Sequence, residues 1–206
     1  MNRRALLIAI GLIVVVVGGA GAWWLGSPLF LDQVVEEELP FEIPTEEETE
    51  EMSEEELAKV SAEVMDAAAK MPDKEMEEEM PEMADDAQPI VVAQGQFQDA
   101  DEFHKGAGTV TLYRLPDGTH LLRFEDFRVT NGPQLHVLLA NHAQPVNRAD
   151  LEETGYVDLG GLKGNVGNQN YEIGANIAID DVKSIVIYCK PFHVVFSTAT
   201  LSSEGN

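Results

Sequence analysis

The sequence has a single cysteine, Cys189, in 206 residues, so it cannot form an intramolecular disulfide and pairing says nothing about the redox state of its compartment. Basic residues are scarce: 13 lysines and arginines stand against 37 aspartates and glutamates, for a net charge of -24. A chain so poor in cations cannot neutralise a run of phosphates, which argues against nucleic acid as a partner. There is no G-x-x-x-x-G-K-[ST] loop, and the glycines Gly160, Gly161, Gly164 and Gly167 do not open a helix, so they read as turns between strands. Asp126, Asp150 and Asp158 are dispersed and form no carboxylate pair that would argue hydrolysis. Long apolar runs are also missing, with one exception at the N-terminus.

There, Arg3 and Arg4 precede Ala5 to Leu25, 21 residues without charge. As a helix this run spans about 30 Å, enough to cross a bilayer core. Residues 1–25 therefore read as a membrane anchor, with Trp23 and Trp24 at the outer interface. The two arginines hold the N-terminus inside, which makes a single-pass membrane protein whose C-terminal domain is extracytoplasmic. The alternative is a cleaved signal peptide, for which Ala20 and Ala22 have A-x-A spacing, and a secreted product.

Between Asp32 and Asp86 lie 23 of the acidic residues against three lysines, with Pro40, Pro44, Pro72 and Pro81 interspersed. Residues 26–94 accordingly read as an acidic, mostly disordered linker with too little apolar surface to offset its ordering entropy. One helix is expected near residues 54–70: Ser53 and Glu56 make a capping box, and Leu57, Val60, Val64, Ala68 and Met71 recur at helical spacing. It would be solvated or would pair with a copy of itself. Met71, Met76, Met80 and Met83 are thioether ligands of the kind that suit Cu(I), against the plainer reading of a linker that contains methionine.

From Gly95 onward the apolar period becomes two. Thr109–Leu115, the turn Pro116-Asp117-Gly118 and Thr119–Phe124 read as a hairpin. Further strands are expected at 133–140, 155–159, 170–173, 183–189 and 192–201. Eight or so short strands and no sustained helical period predict an all-β, β-sandwich-like domain over residues 95–206. Its core would hold Phe97, Phe103, Leu112, Leu122, Phe124, Phe127, Leu135, Val137, Leu139, Ile185, Ile187 and Phe196.

Cys189 and His193 are four residues apart, and with His136 on a strand they resemble the ligand set of a blue-copper site. The axial methionine is missing, since the last Met is Met83. Alternation from Ile185 and Ile187 puts Cys189 on the core face, which favours a packed thiol over one open to oxidation or set beside a cofactor. His104, His120 and His142 fall in or near turns without the spacing of a metal pair. No motif names a cofactor.

Three ordered blocks carry a family resemblance. The first is Phe124–Phe127 followed by Asn131–Leu139, the second Leu159–Tyr171, the third Ser184–Phe192 ending in Phe196 and Ala199. Together, over residues 95–201, they resemble the DM13 domain, which bacteria carry on secreted or membrane-tethered proteins. The resemblance implies a β-sandwich-like extracytoplasmic domain with an electron-transfer role resting on the family's cysteine, here Cys189. Gln134 departs from the acidic residue usual after Gly-Pro, and His193 lies outside the pattern. Two functions follow: a tethered redox module centred on Cys189, with a redox or protein partner, or a non-enzymatic binding module. In the second, loops Gly160–Asn170 and Asn131–Leu135 meet the partner and Cys189 only packs.

Overall fold

Ten residues, Ile90–Asp99, form the strand on which the fold turns. In the computed structural model, which describes residues 42–82, 88–174 and 176–203, this strand (β2) pairs with β3 (Gly106–Arg114) through Gln96. From Phe97 to Asp99 it pairs with β9 (Val194–Thr200) instead. Gly95 sits at the exchange, where a Cβ would come within 2.6 Å of the Thr200 carbonyl oxygen. The remaining strands are β1 (Glu75–Glu77), β4 (His120–Val129), β5 (Leu135–Ala140), β6 (Tyr156–Gly161), β7 (Val166–Ile173) and β8 (Ser184–Cys189). They form one nine-stranded sheet in the order β1-β7-β4-β3-β2-β9-β8-β5-β6. The domain is thus all-β, but it is a single curled sheet where two packed sheets were expected. A strand that pairs on both sides with different halves lets one sheet wrap its own core.

That core lies on the concave side. Phe97, Phe124 and Phe127 meet edge-on or tilted, with centroids 4.9 to 5.0 Å apart, and Ile185, Ile187, Val137 and Phe196 complete the cluster. Strand β4 brings both Phe124 and Phe127 inward although they are three apart, because the register against β7 slips between them. Opposite, Gly108 has φ of 108°, and a Cβ there would stand 2.6 Å from the Cα of Phe127. Of the core residues expected, Phe103 is the exception, at 80% exposed. It lies in a tight turn whose Phe103 and His104 amides both donate to Asp101 Oδ1 at 2.7 Å, which aims the ring outward.

The acidic stretch before the domain differs most from expectation. The expected anchor, residues 1–25, the rest of the expected linker up to Phe41, and residues 83–87 lie outside the described residues. Among the described residues no helix is long and apolar enough to cross a membrane. Residues 42–82, expected to be mostly disordered apart from one helix, instead carry α1 (Glu46–Glu51), α2 (Glu54–Ala69) and strand β1. Both helices open on capping boxes, Thr45 with Glu48 and Ser53 with Glu56. The α2 stripe is packed where it was expected to be solvated: Val64 and Ala68 are buried, and Leu57, Val60 and Met65 pack on the core cluster. Burial of that stripe against the sheet supplies the apolar contact that composition alone did not reveal. Strand β2 begins at Ile90, so the linker boundary expected at residue 94 lies inside a strand. A third helix, α3 (Arg148–Thr154), covers the outer face of β8, where Leu151 packs with Leu138, Val186, Tyr188 and Val195.

Candidate functional site

Strand β8 reads Ser-Ile-Val-Ile-Tyr-Cys, and all six residues are buried. Alternation sends Ile185, Ile187 and Cys189 to the inner core, as the sequence suggested, and Val186 and Tyr188 to the outer cluster. Cys189 stands opposite Leu135 on β5 and Val194 on β9. It is fully buried, and its Sγ donates to the Pro133 carbonyl at 3.2 Å. Burial pushes the thiol up to about 12, against a smaller lowering from the Phe192 backbone amide. At neutral pH Cys189 is therefore a neutral thiol, the poor nucleophile of the thiol–thiolate pair.

His193 follows a turn and takes a left-handed backbone conformation, φ 55°. Arg148 Nη1 lies 2.7 Å from its Nε2, and Tyr188 Oη lies 3.2 Å from its Nδ1. A guanidinium has only donors, so Nε2 accepts and Nδ1–H donates to Tyr188. Burial first, then the charge of Arg148, lowers the imidazole's pKa, and the nearby Glu46, Glu50 and Glu152 only partly offset this. Both ring nitrogens are thus engaged, on the side of β8 that Tyr188 faces. Cys189 is on the other side.

His136, the third residue of the copper reading, pairs across β5 and β8 with Tyr188. Its Nδ1 lies 2.9 Å from each oxygen of Asp158, which also takes Lys190 at 3.3 Å and accepts from the Gly160 amide at 2.8 Å. Burial works to raise the Asp158 pKa, but those partners, His136 foremost, outweigh it and hold it below the usual carboxylate value. The structure places Cys189 inside the sheet and engages His136 and His193 with separate partners outside it. Among the described residues no three of His, Cys, Asp and Glu are grouped to hold a metal. Met76 is the middle residue of β1, and Met83 lies outside the described residues.

Two features escaped the sequence reading. A cleft of about 500 Å³ separates α2 from the sheet, lined by Ala58, Ala62 and Met65 on one wall and by Phe103, His104 and Phe196 on the other. His104 Nδ1 is 2.6 Å from Asp101 Oδ2, and its ring sits 4.2 Å from that of Phe196. Cys189 does not line this cleft; the two are linked only along the chain. Asn131 lines the cleft, a Cβ at Gly132 would strike the Phe196 ring, and the next residue, Pro133, accepts from the thiol. The second feature is a polar knot at the start of β7. Gln169, fully buried, donates to the Gly164 carbonyl at 2.7 Å and accepts from Tyr171 Oη at 2.8 Å. The sequence placed Gly160–Asn170 in a loop with a strand only from residue 170, whereas β7 begins at Val166 and takes Gln169 into the sheet.

No curated protein and no solved structure matches the chain. The family model described as electron transfer DM13 matches residues 96–201, which span the sheet from β2 to β9 and contain Cys189. With more than half of its length covered by that match, the chain belongs to the DM13 family.

Proposed function

We propose that this chain is an electron-transfer domain displayed outside the cytoplasm on the N-terminal anchor of residues 1–25, with Cys189 as a redox residue kept sealed in the resting fold. The observation that carries this reading is the position of Cys189 inside the matched electron-transfer domain, fully buried and hydrogen-bonded to Pro133. A neutral, buried thiol does not exchange with solvent disulfides. Opening of the fold returns the thiol to water and to its ordinary value of 9.0, so that a fraction of it is thiolate near neutral pH. The thiolate sulfur then attacks a partner disulfide, one S–S bond breaks as another forms, and one partner sulfur leaves as a thiolate. With a single cysteine in the chain, a separate reduced dithiol donor must complete the transfer: one donor thiolate attacks Cys189 Sγ and releases the first partner as a dithiol, and the second donor thiolate then closes the donor's disulfide and frees Cys189.

A second reading is favoured by the complete burial of Cys189: a binding module in which the thiol packs and a partner meets residues 162–165 and 131–134, the parts of the expected loops Gly160–Asn170 and Asn131–Leu135 that lie outside β5, β6 and β7. Incubation with a small aromatic disulfide in urea below the unfolding transition separates the two. The redox reading expects one mixed disulfide per wild-type chain, none on Cys189→Ala, and electron uptake from a reduced dithiol partner that only the wild type shows. Equal uptake by both proteins would leave the binding module standing.

A further inference from the structure

The segment Asp73–Glu79 is held by the domain in the way a ligand is held. Its strand β1 runs parallel to β7, and Glu75 and Glu77 point to solvent while Met76 is half-buried, so it adds little to the core. What holds it is polar. Asn165 Oδ1 accepts from the Lys74 amide and its Nδ2 donates to Asp73, both at 2.7 Å. Asn168 donates to the Glu77 carboxylate at 3.0 Å, and Asn170 Nδ2 donates to the Glu79 carbonyl at 2.7 Å. Lys163 Nζ meets both oxygens of Glu78, at 2.8 and 3.0 Å, while the Asn170 amide donates to the same carboxylate.

The receiving edge is shaped for close approach. A Cβ on Gly167 would stand 2.1 Å from the Met76 carbonyl oxygen, and one on Gly164 2.5 Å from that of Lys74. The edge belongs to the matched family domain, whereas Asp73–Glu79 precedes it. The fit is also incomplete. Arg123, on β4 beside β7, is 6% exposed and donates through Nη1 to the Glu78 carbonyl, but its Nε has no hydrogen-bond partner among the described residues. The nearest carboxylate, Glu125, is 3.7 Å away.

We infer that the β7 edge is a binding site for an extended acidic segment of a partner protein, which adds as a parallel strand, and that Asp73–Glu79 occupies it in cis until displaced. Charge complementarity at Lys163 and Arg123 selects acidic strands, and the asparagine row reads the backbone and fixes the register. A second copy of this chain is the weaker occupant, because its identical strand competes against one already tethered at high effective concentration. A partner strand that also satisfies Arg123 Nε gains what the cis strand lacks.

The test uses the full chain in detergent and a fluorescent peptide with the sequence of Asp73–Met80, DKEMEEEM. Glu78→Gln, which loosens the cis strand, should bind the peptide at least tenfold more tightly than wild type. Adding Lys163→Gln should remove the gain, and a scrambled peptide of the same composition should not bind. A folded Glu78→Gln chain that binds no better than wild type, or binds the scrambled peptide equally, overturns the inference. So do Glu78→Gln chains that associate with one another and leave the peptide free, which would assign the edge to a second copy. Should Glu78→Gln not fold, wild type is titrated with peptide to millimolar concentration. Faster amide exchange at Glu75–Glu79 supports displacement, and unchanged exchange at that concentration refutes it.

Discussion

The inner face of β8 and the outer edge of β7 are built on opposite principles. Around Cys189 the sheet is dry: Ile185, Ile187 and Cys189 are fully buried, and the thiol meets only backbone polar groups, at Pro133 and Phe192. Around Lys163 and Asn165 the structure is a lattice of hydrogen bonds and ion pairs that reaches solvent. Burial of apolar area is insensitive to salt and to carboxylate protonation, whereas a partly exposed ion pair is sensitive to both. The first region should therefore yield only when the whole domain opens, and the second should yield locally.

The contrast can be broken hardest from the dry side. Ile187→Ala leaves a cavity beside Cys189 and should cost about 2–5 kcal/mol, read as a lower urea midpoint for the entire domain. The smaller break is on the wet side. Gly167 has φ of 103° and touches the Met76 carbonyl, so Gly167→Ala should cost roughly 1–3 kcal/mol and expel β1. Hydrogen exchange should then rise at Glu75–Glu79 while β8 stays protected; equal loss at both would show that the strand is part of the core.

The two regions should also fail at opposite ends of the pH scale. Folding raises the Cys189 thiol from its ordinary value of 9.0 to about 12. The neutral thiol is common to both states below pH 9, so nothing is lost there. Above it the unfolded chain ionises first, and global stability should fall as pH rises toward 12, an effect that Cys189→Ala reduces, with the remainder coming from Tyr171 and Tyr188, whose phenols burial also raises. Glu78 behaves in reverse and on a smaller scale. Burial works to raise its pKa, but Lys163 and the Asn170 amide outweigh that and bring it below its ordinary 4.5. Its contribution is complete above 4.5 and disappears as pH falls through the lower folded value, so acid should loosen β1 first. Exchange that rises at Glu75–Glu79 no sooner than in β8 on acidification would contradict this.

How far the sequence could be read follows the same division. The β3–β4 hairpin was legible because Pro116-Asp117-Gly118 spells its turn, and Gly118 takes φ of 87°. The face of Cys189 was legible because strand alternation is local. β1 was not, since Glu-Met-Glu has no apolar alternation and its partners on β7 lie some 90 residues away. The single curled sheet was not, because β2 changes partners at Phe97 without a break in its own pattern. α3, at seven residues, is too short to show a helical period. Cys189 and His193 looked like a pair because four residues separate them, but a turn with a left-handed His193 carries the imidazole to the other side of the strand, where Arg148 meets it.

The central claim is that the Cys189 thiol is sealed in the resting domain and reacts only when the fold opens. Alkylation of the folded full chain at pH 8 tests it directly, with mass spectrometry counting modified thiols against time. The account predicts no modification of the native protein over a period in which the urea-unfolded chain is labelled to completion, and a native rate that rises in Ile187→Ala about tenfold for each ~1.4 kcal/mol of stability lost. Labelling of the native wild type at a rate near that of the unfolded chain would contradict it.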